Sequence, residues 1–175
     1  MVKVAVPPQT LLTPARIEQT ANICRWRGRV RRHYSVLEHT VIGAWTLKQL
    51  GYDHNAVRSF LLHDLEETEF CGDIPTPDKA IYMNADYFRD VRVWEADLYR
   101  ETGVKRNLPV IELMDEVMVR AEHATVSMVP DDAPRTDATI RWCRVMIDAD
   151  EFGTPEQWWD LWNNAAPELL FGKVV

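Results

Sequence analysis

Ser35-Val36-Leu37-Glu38-His39-Thr40-Val41-Ile42-Gly43-Ala44-Trp45-Thr46-Leu47-Lys48-Gln49-Leu50-Gly51 is the stretch whose reading decides the fold. A serine followed three residues later by glutamate is a capping box, in which side chain and backbone exchange hydrogen bonds at a helix start. The helix it predicts ends near Leu50-Gly51. Its stripe of Val36, Ile42, Gly43, Thr46 and Leu50 also carries His39, a polar residue where an apolar one is expected.

The same start signals recur along the chain. Thr13 caps a short first helix with Pro14 at its first position. Asp53 caps a third helix expected to reach about Phe70. Cys71-Gly72-Asp73-Ile74-Pro75-Thr76-Pro77 reads as a loop, because two prolines and a glycine oppose a regular helix. Thr76-Pro77 then caps a helix expected through about Thr102, and Leu108-Pro109 starts one to about Val129. Pro130-Asp131-Asp132-Ala133-Pro134 reads as a turn. Helices near 136–149 and 155–165 follow, the last opened by Thr154-Pro155-Glu156-Gln157. Alternating runs of valine, isoleucine and threonine are almost absent, so strands are not expected. The reading is an all-α fold: one compact bundle of about six to seven helices, a single domain over residues 1–175.

Composition agrees. With 46% hydrophobic and 27% charged residues the chain has the balance of a globular domain rather than of a disordered, collagenous or coiled-coil one. No apolar run approaches a membrane span, and the first residues lack the apolar core of a signal peptide. Cys24, Cys71 and Cys143 have no metal-type spacing and suit a reducing cytoplasm, which is the expected location (a host's cytoplasm if the chain is phage-encoded). A net charge of -7 argues against a nucleic-acid coat while leaving room for a local basic pocket.

Three more polar residues join His39 on otherwise apolar stripes. Asp64 falls among Val57, Phe60, Leu61 and Thr68, with His63 directly before it, and Asp115 falls between Ile111 and Met118. Buried carboxylates are costly unless paired or bound to a cation. Two histidines and two aspartates form a mixed nitrogen and oxygen donor set for one divalent transition metal. Any one of these four could be an ordinary core residue; their order on successive helices is what points to a metal. Glu67 follows His63 by four residues, a position suited to moving a proton at such a site. The loop from Gly72 to Lys79 adds a hydroxyl, a lysine and a helix N-terminus of the kind that attracts phosphate.

The pattern of histidine, His-Asp pair and distant aspartate resembles the HD-domain metal-dependent phosphohydrolases. The nearer likeness is to the small bacterial 5'-deoxynucleotidases and their phage relatives, dATP triphosphohydrolases among them. It spans about Ala15 to Pro130. It is carried by Ile23-Cys24-Arg25-Trp26, Tyr34 to His39, Leu62-His63-Asp64-Leu65-Glu66-Glu67, Gly72 to Pro77, and Asp115 with Glu122 seven later. The resemblance implies His39, His63, Asp64 and Asp115 as ligands of a divalent ion (cobalt, manganese or zinc, with magnesium as an alternative). It implies Glu67 as catalytic acid or base, and Arg25 and Trp26 placing the phosphate and stacking near the nucleoside. Asp73, Ile74, Pro75 and Thr76 would line the sugar and phosphate side, with Lys79 beside them. The connector from Arg27 to His33 is about one residue shorter than in those enzymes, so base preference does not carry over.

Five arginines between Arg25 and Arg32 suit either a solvated loop or an electropositive mouth for a polyanion. With the likeness to the phage enzymes they favour a triphosphate, so dATP hydrolysis to deoxyadenosine and tripolyphosphate is expected. A 5'-deoxynucleotidase on monophosphates, a cyclic-nucleotide or alarmone hydrolase and a non-catalytic nucleotide binder are the alternatives. His33, His54 and His123 remain; His54 and His123 read as structural or exposed. Trp158, Trp159 and Trp162 read as core or as a contact between copies, consistent with a homo-oligomer of two or more chains. Neither a nucleic-acid nor a membrane partner is expected.

Overall fold

The computed structural model of the chain describes residues 10–70, 72–74, 79, 81, 83–128 and 138–164. It is all-helical: α1 (Pro14–Thr20), α2 (Val36–Gln49), α3 (His54–Leu62), α4 (Ala85–Thr102), α5 (Leu108–Thr125), α6 (Ala138–Ala149) and α7 (Pro155–Asn163), with short 3-10 turns at Arg25–Gly28 and Leu65–Thr68. No strand occurs among the described residues. Two isolated antiparallel bridges, Cys24 with Ser35 and Val30 with Ser127, tie the connector between α1 and α2 to its surroundings. No helix is long and apolar enough to cross a membrane.

The caps read from sequence are formed. Ser35 and Glu38 make a reciprocal capping box on α2, and Thr154 and Gln157 do the same on α7. Thr13 and Asp53 each accept a backbone N–H at the starts of α1 and α3. The expected turn at Pro130–Pro134 and the cap at Thr76-Pro77 lie outside the described residues.

Helix α2 runs through the centre. From Val36 to Lys48 every residue except Trp45 is buried, as expected of a helix enclosed on nearly all sides. It packs against α1, α3, α5, α6 and α7. The core around it gathers Leu37, Val41, Leu47, Phe60, Leu61, Met118, Ile147 and Trp158. Gly43 is what lets α3 approach so closely, since a methyl group there would overlap the Phe60 ring. Trp158 and Leu161 are buried and Trp159 and Trp162 pack against the same core, so within the chain this tryptophan group belongs to the interior.

Two expected helices are shorter than their periodicity suggests. The third was expected to reach about Phe70, yet α3 stops at Leu62. His63 takes the cap position, where its N–H donates to the Phe60 carbonyl three residues back, and Asp64 leaves the helical region (φ -109°, ψ 12°) before the turn at Leu65–Thr68. The fourth was expected as one run from Thr76; Lys79 and Ile81 are helical, but Met83 and Asn84 are not, and α4 begins at Ala85. Asn84 supplies a new cap, its Oδ1 accepting from the Tyr87 N–H at 2.9 Å.

Candidate metal centre and cavity

The break after α3 is what assembles the centre. His39, in the second turn of α2, points Nε2 at His63 Nε2, 3.3 Å away. Asp64 Oδ2 lies 3.2 Å from His63 Nε2 and 3.6 Å from His39 Nε2. Asp115 comes from α5, its Oδ1 3.4 Å from His39 Nε2. His39 is fully buried, His63 nearly so, and the Asp115 side chain is 43% exposed and opens onto a cavity.

The tautomers follow from the outer bonds. His63 Nδ1 lies 2.6 Å from the Phe60 carbonyl, which only accepts, so Nδ1 carries the hydrogen. His39 Nδ1 lies 2.6 Å from Glu122 Oε1. Glu122 is held below the usual carboxylate range: burial works against it, but Arg25 and His39 outweigh burial. His39 Nδ1 therefore donates too. Each neutral ring then turns an Nε2 lone pair toward the other and toward Asp64. Three acceptors so placed need a positive charge among them. Without a metal a proton on His39 fills that need. Burial and Arg25 oppose it, Glu122 and Asp115 favour it, and the imidazole is pushed up to about 9. Asp64 is likewise driven far down despite its burial, chiefly by His63.

A divalent ion fits the same place. Ligand atoms about 2.0–2.2 Å from one tetrahedral ion lie about 3.4 Å apart, and the His39, His63 and Asp64 donors are separated by 3.2–3.6 Å, with Asp115 Oδ1 3.4 Å from His39 Nε2. His39, His63 and Asp64 form a buried group able to hold a metal ion. The imidazole–carboxylate pair of His39 and Glu122 is the outer support that metal-bound histidines characteristically have.

Glu122 is a hub. Beside His39 it accepts from Arg25 Nε at 3.2 Å and from Trp26 Nε1 at 3.0 Å, both on Oε2. Arg25 is itself nearly buried, with Nη1 3.1 Å from Asp64 Oδ2 and 3.5 Å from Asp73 Oδ1. Asp73 Oδ2 accepts from the Trp26 backbone N–H at 2.5 Å. That bond holds an unusual turn, since Trp26 (φ 60°), Arg27 (φ 53°) and Gly28 (φ 74°) are all left-handed. Side chains avoid this region by roughly 1–2 kcal/mol per residue, so the turn needs its anchors.

A cavity of about 360 Å³ opens beside the donor set. Its lining combines the charged Arg25, Asp64, Glu67, Asp73, Lys79 and Asp115 with Trp26, Ile74, Val119 and His123. Glu67 and its neighbour Glu66 are both 7% exposed, and each keeps one buried carboxylate oxygen without a hydrogen-bond partner. Lys79 Nζ stands 3.6 Å from Glu67 and 3.9 Å from Glu66. Burial first, then Asp64, pushes both carboxyls up, Glu66 to about 8 and Glu67 well above its ordinary value.

The structure thus brings together His39, His63, Asp64, Asp115, Glu67, Arg25, Trp26, Asp73, Ile74 and Lys79. Pro75 and Thr76 lie outside the described residues. His123 was expected to be structural or exposed; it lines the cavity and meets the Trp26 ring edge-on at 4.3 Å. Its register could have been read, since Asp115, Val119 and His123 recur every four residues. Glu66 had no sequence signal apart from its neighbour. Arg31 Nη1 donates to the Thr125 carbonyl, and Arg32 binds Glu38, Asp150 and the Ile147 carbonyl. Of the five arginines from 25 to 32, Arg25 is the one that lines the cavity.

No family model, curated protein or solved structure matches this chain. The functional reading therefore rests on the residues and their geometry.

Proposed function

We propose that this chain is a metal-dependent phosphohydrolase of the HD-domain kind, cleaving the 5' phosphoester of deoxynucleotides. The observation that carries the reading is a cavity lined by Arg25, Asp64, Asp115 and the partly unsatisfied Glu67, with the buried His39-His63-Asp64 group meeting it at Asp64. Held by His39, His63, Asp64 and Asp115, a divalent ion supplies Lewis acidity toward a phosphoryl oxygen and toward water. The chain's own groups do the rest. Arg25 offsets negative charge that develops on the phosphoryl group, fixed in place beforehand by Asp64, Asp73 and Glu122. Water adds to phosphorus and the bond to the 5' oxygen breaks; Glu67, its pKa raised by burial and by Asp64, gives a proton to the departing oxygen and recovers one from the water that has added. Lys79 lies beside Glu67 and adds positive charge at the phosphate end.

The same cleavage yields phosphate from a monophosphate and tripolyphosphate from a triphosphate. The arginine cluster favoured dATP on charge alone. The engagement of Arg31 and Arg32 away from the cavity favours the monophosphate instead, and both substrates belong in the test. Phosphate and tripolyphosphate release should be measured across deoxy- and ribonucleotides with manganese, cobalt, zinc and magnesium. Metal content should be measured in His63→Ala and Asp115→Ala. Release no greater than a metal-free blank on every substrate ends the hydrolase reading, and stoichiometric metal in both variants ends the ligand assignment.

A further inference from the structure

We infer that the cavity between the last turns of α2 and the start of α7 is a second ligand site, and that it takes a small organic monoanion, a carboxylate on an apolar body, bound through Lys48. The cavity has a volume of about 430 Å³, inside the range of roughly 300–1,000 Å³ in which small molecules are held. It shares no lining residue with the cavity beside the donor set. Lys48 follows His39 on α2 by nine residues, about two and a half turns, so it leaves the opposite face of the helix ~13 Å further along.

Lys48 is the observation that asks for a ligand. It lines the cavity, is only 7% exposed, and its ammonium finds no hydrogen bond or ion pair among the described residues. A charge so far withdrawn from water loses hydration that nothing in its surroundings replaces. The polar groups that line the cavity with it are engaged elsewhere. Gln157 gives both ends of its amide to the turn before α7: Oε1 accepts from the Gly153 and Thr154 N–H groups, and Nε2 donates to the Glu151 carbonyl. Glu156 is turned back on its own backbone N–H and on Thr154, and Asp160 Oδ1 accepts from Asn164 Nδ2 at 2.8 Å. The other walls are apolar. Val41 and Leu161 are buried, and Trp45 and Phe152 stand half-buried beside them with their rings tilted 50° at 6.0 Å. One face of Trp45 is stacked on Trp142 at 5.6 Å, which holds that wall in place.

The charges fix the class of ligand. One unpaired ammonium balances one negative charge, while the exposed carboxylates of Glu156 and Asp160 also line the cavity and repel a second. A polyphosphate is therefore excluded, and a neutral compound would leave Lys48 unpaired. A single carboxylate on a ring or short chain meets both demands, its oxygens accepting from Lys48 and its body covering the four apolar side chains.

Three probes with one body separate these contributions: naphthoate, the uncharged naphthamide, and naphthalene dicarboxylate, their affinities measured by calorimetry in wild type, Lys48→Met and Asp160→Asn. Wild type should bind naphthoate about tenfold more tightly than naphthamide, the scale of one charge-assisted hydrogen bond, and the dicarboxylate more weakly than naphthoate. Lys48→Met keeps the apolar stem without the ammonium, and should erase the preference for naphthoate while leaving naphthamide affinity unchanged. Asp160→Asn, on the exposed side, should bring the dicarboxylate closer to naphthoate. Thermal melting checks that the variants fold; if Lys48→Met does not, the three probes on wild type and Asp160→Asn decide. A preference that persists in Lys48→Met would place the carboxylate elsewhere, the metal centre included, and overturn the assignment. So would naphthoate binding no tighter than naphthamide, or the dicarboxylate binding as tightly as naphthoate, in wild type. No turnover is read, so the outcome is independent of the hydrolase reading.

Discussion

Glu122 on α5 and Glu67 on the turn after α3 are the same chemical group, both withdrawn from water, on two sides of Arg25. Around Glu122 every approach is a donor: His39, Arg25 and Trp26 share its two oxygens. Around Glu67 the neighbours are Asp64, Asp73 and Glu66, with Lys79 at 3.6 Å, and one oxygen has no hydrogen-bond partner. The first carboxylate is held down and ionised; the second is pushed up. Three groups lock Glu122 into one position, from which it aims other side chains. Folding leaves Glu67 unsatisfied, and a proton held against such a bias is the one available to a reaction.

That contrast can be broken at either end. The largest effect should come from Glu67→Gln. Turnover should fall by roughly 10²–10⁴-fold, the usual scale of general acid–base help, while the melting temperature holds or rises because an unpaired buried carboxyl has gone. Rates near wild type would take Glu67 out of the mechanism. Glu122→Gln should act the other way. The amide cannot accept from all three donors at once, so His39 loses its support, and metal affinity should drop by about 10–100-fold in a chelator competition titration, the range seen for lost outer-shell partners. Unchanged affinity would mean that packing alone aims His39.

The smallest effect sharpens the comparison through pH. In metal-free, chelator-treated protein Glu66 titrates at about 8 against an ordinary value of 4.5. Below the ordinary value it is protonated whether folded or not and costs nothing. Between the two values the unfolded chain ionises first, so stability falls as pH rises, and above the folded value the whole cost is present. Glu66→Gln should therefore raise the melting temperature by a few degrees near about pH 9 and hardly at all near about pH 4.5. An equal rise at both pH values would show that Glu66 is paired after all.

How much of this was legible depends on whether the signal was local. Capping boxes at Ser35 and Thr154, the cap at Asp53 and the prolines at helix starts are exchanges within four residues, so sequence shows them directly. His39 and Asp115 could be picked out because each stands on an apolar stripe of a helix that does form. Asp64 was named for a reason that does not hold in three dimensions. It was placed on a continuing helix, whereas α3 ends just before it, and the partners that hold it, Arg25 and His39, are 39 and 25 positions away. The left-handed run at Trp26-Arg27 gave no sign, because its stabilisation comes from Asp73 and Glu122 in other parts of the chain. His123 was hidden for a related reason: the ring it meets, Trp26, is 97 positions away in the chain.

Gly43 gives the centre a dependence that chemistry alone would not reveal. It admits the Phe60 ring, and that ring stacks on His63 at 4.3 Å while the Phe60 carbonyl fixes the same histidine's tautomer. Any side chain at 43 must displace the Phe60 ring, and with it the stacking that backs a donor residue. In a library randomised at every position and selected for turnover, position 43 should be as intolerant as the four donors. Survivors there should carry second-site changes that make Phe60 smaller. A residue with no functional group would then show the mutational profile of a metal ligand.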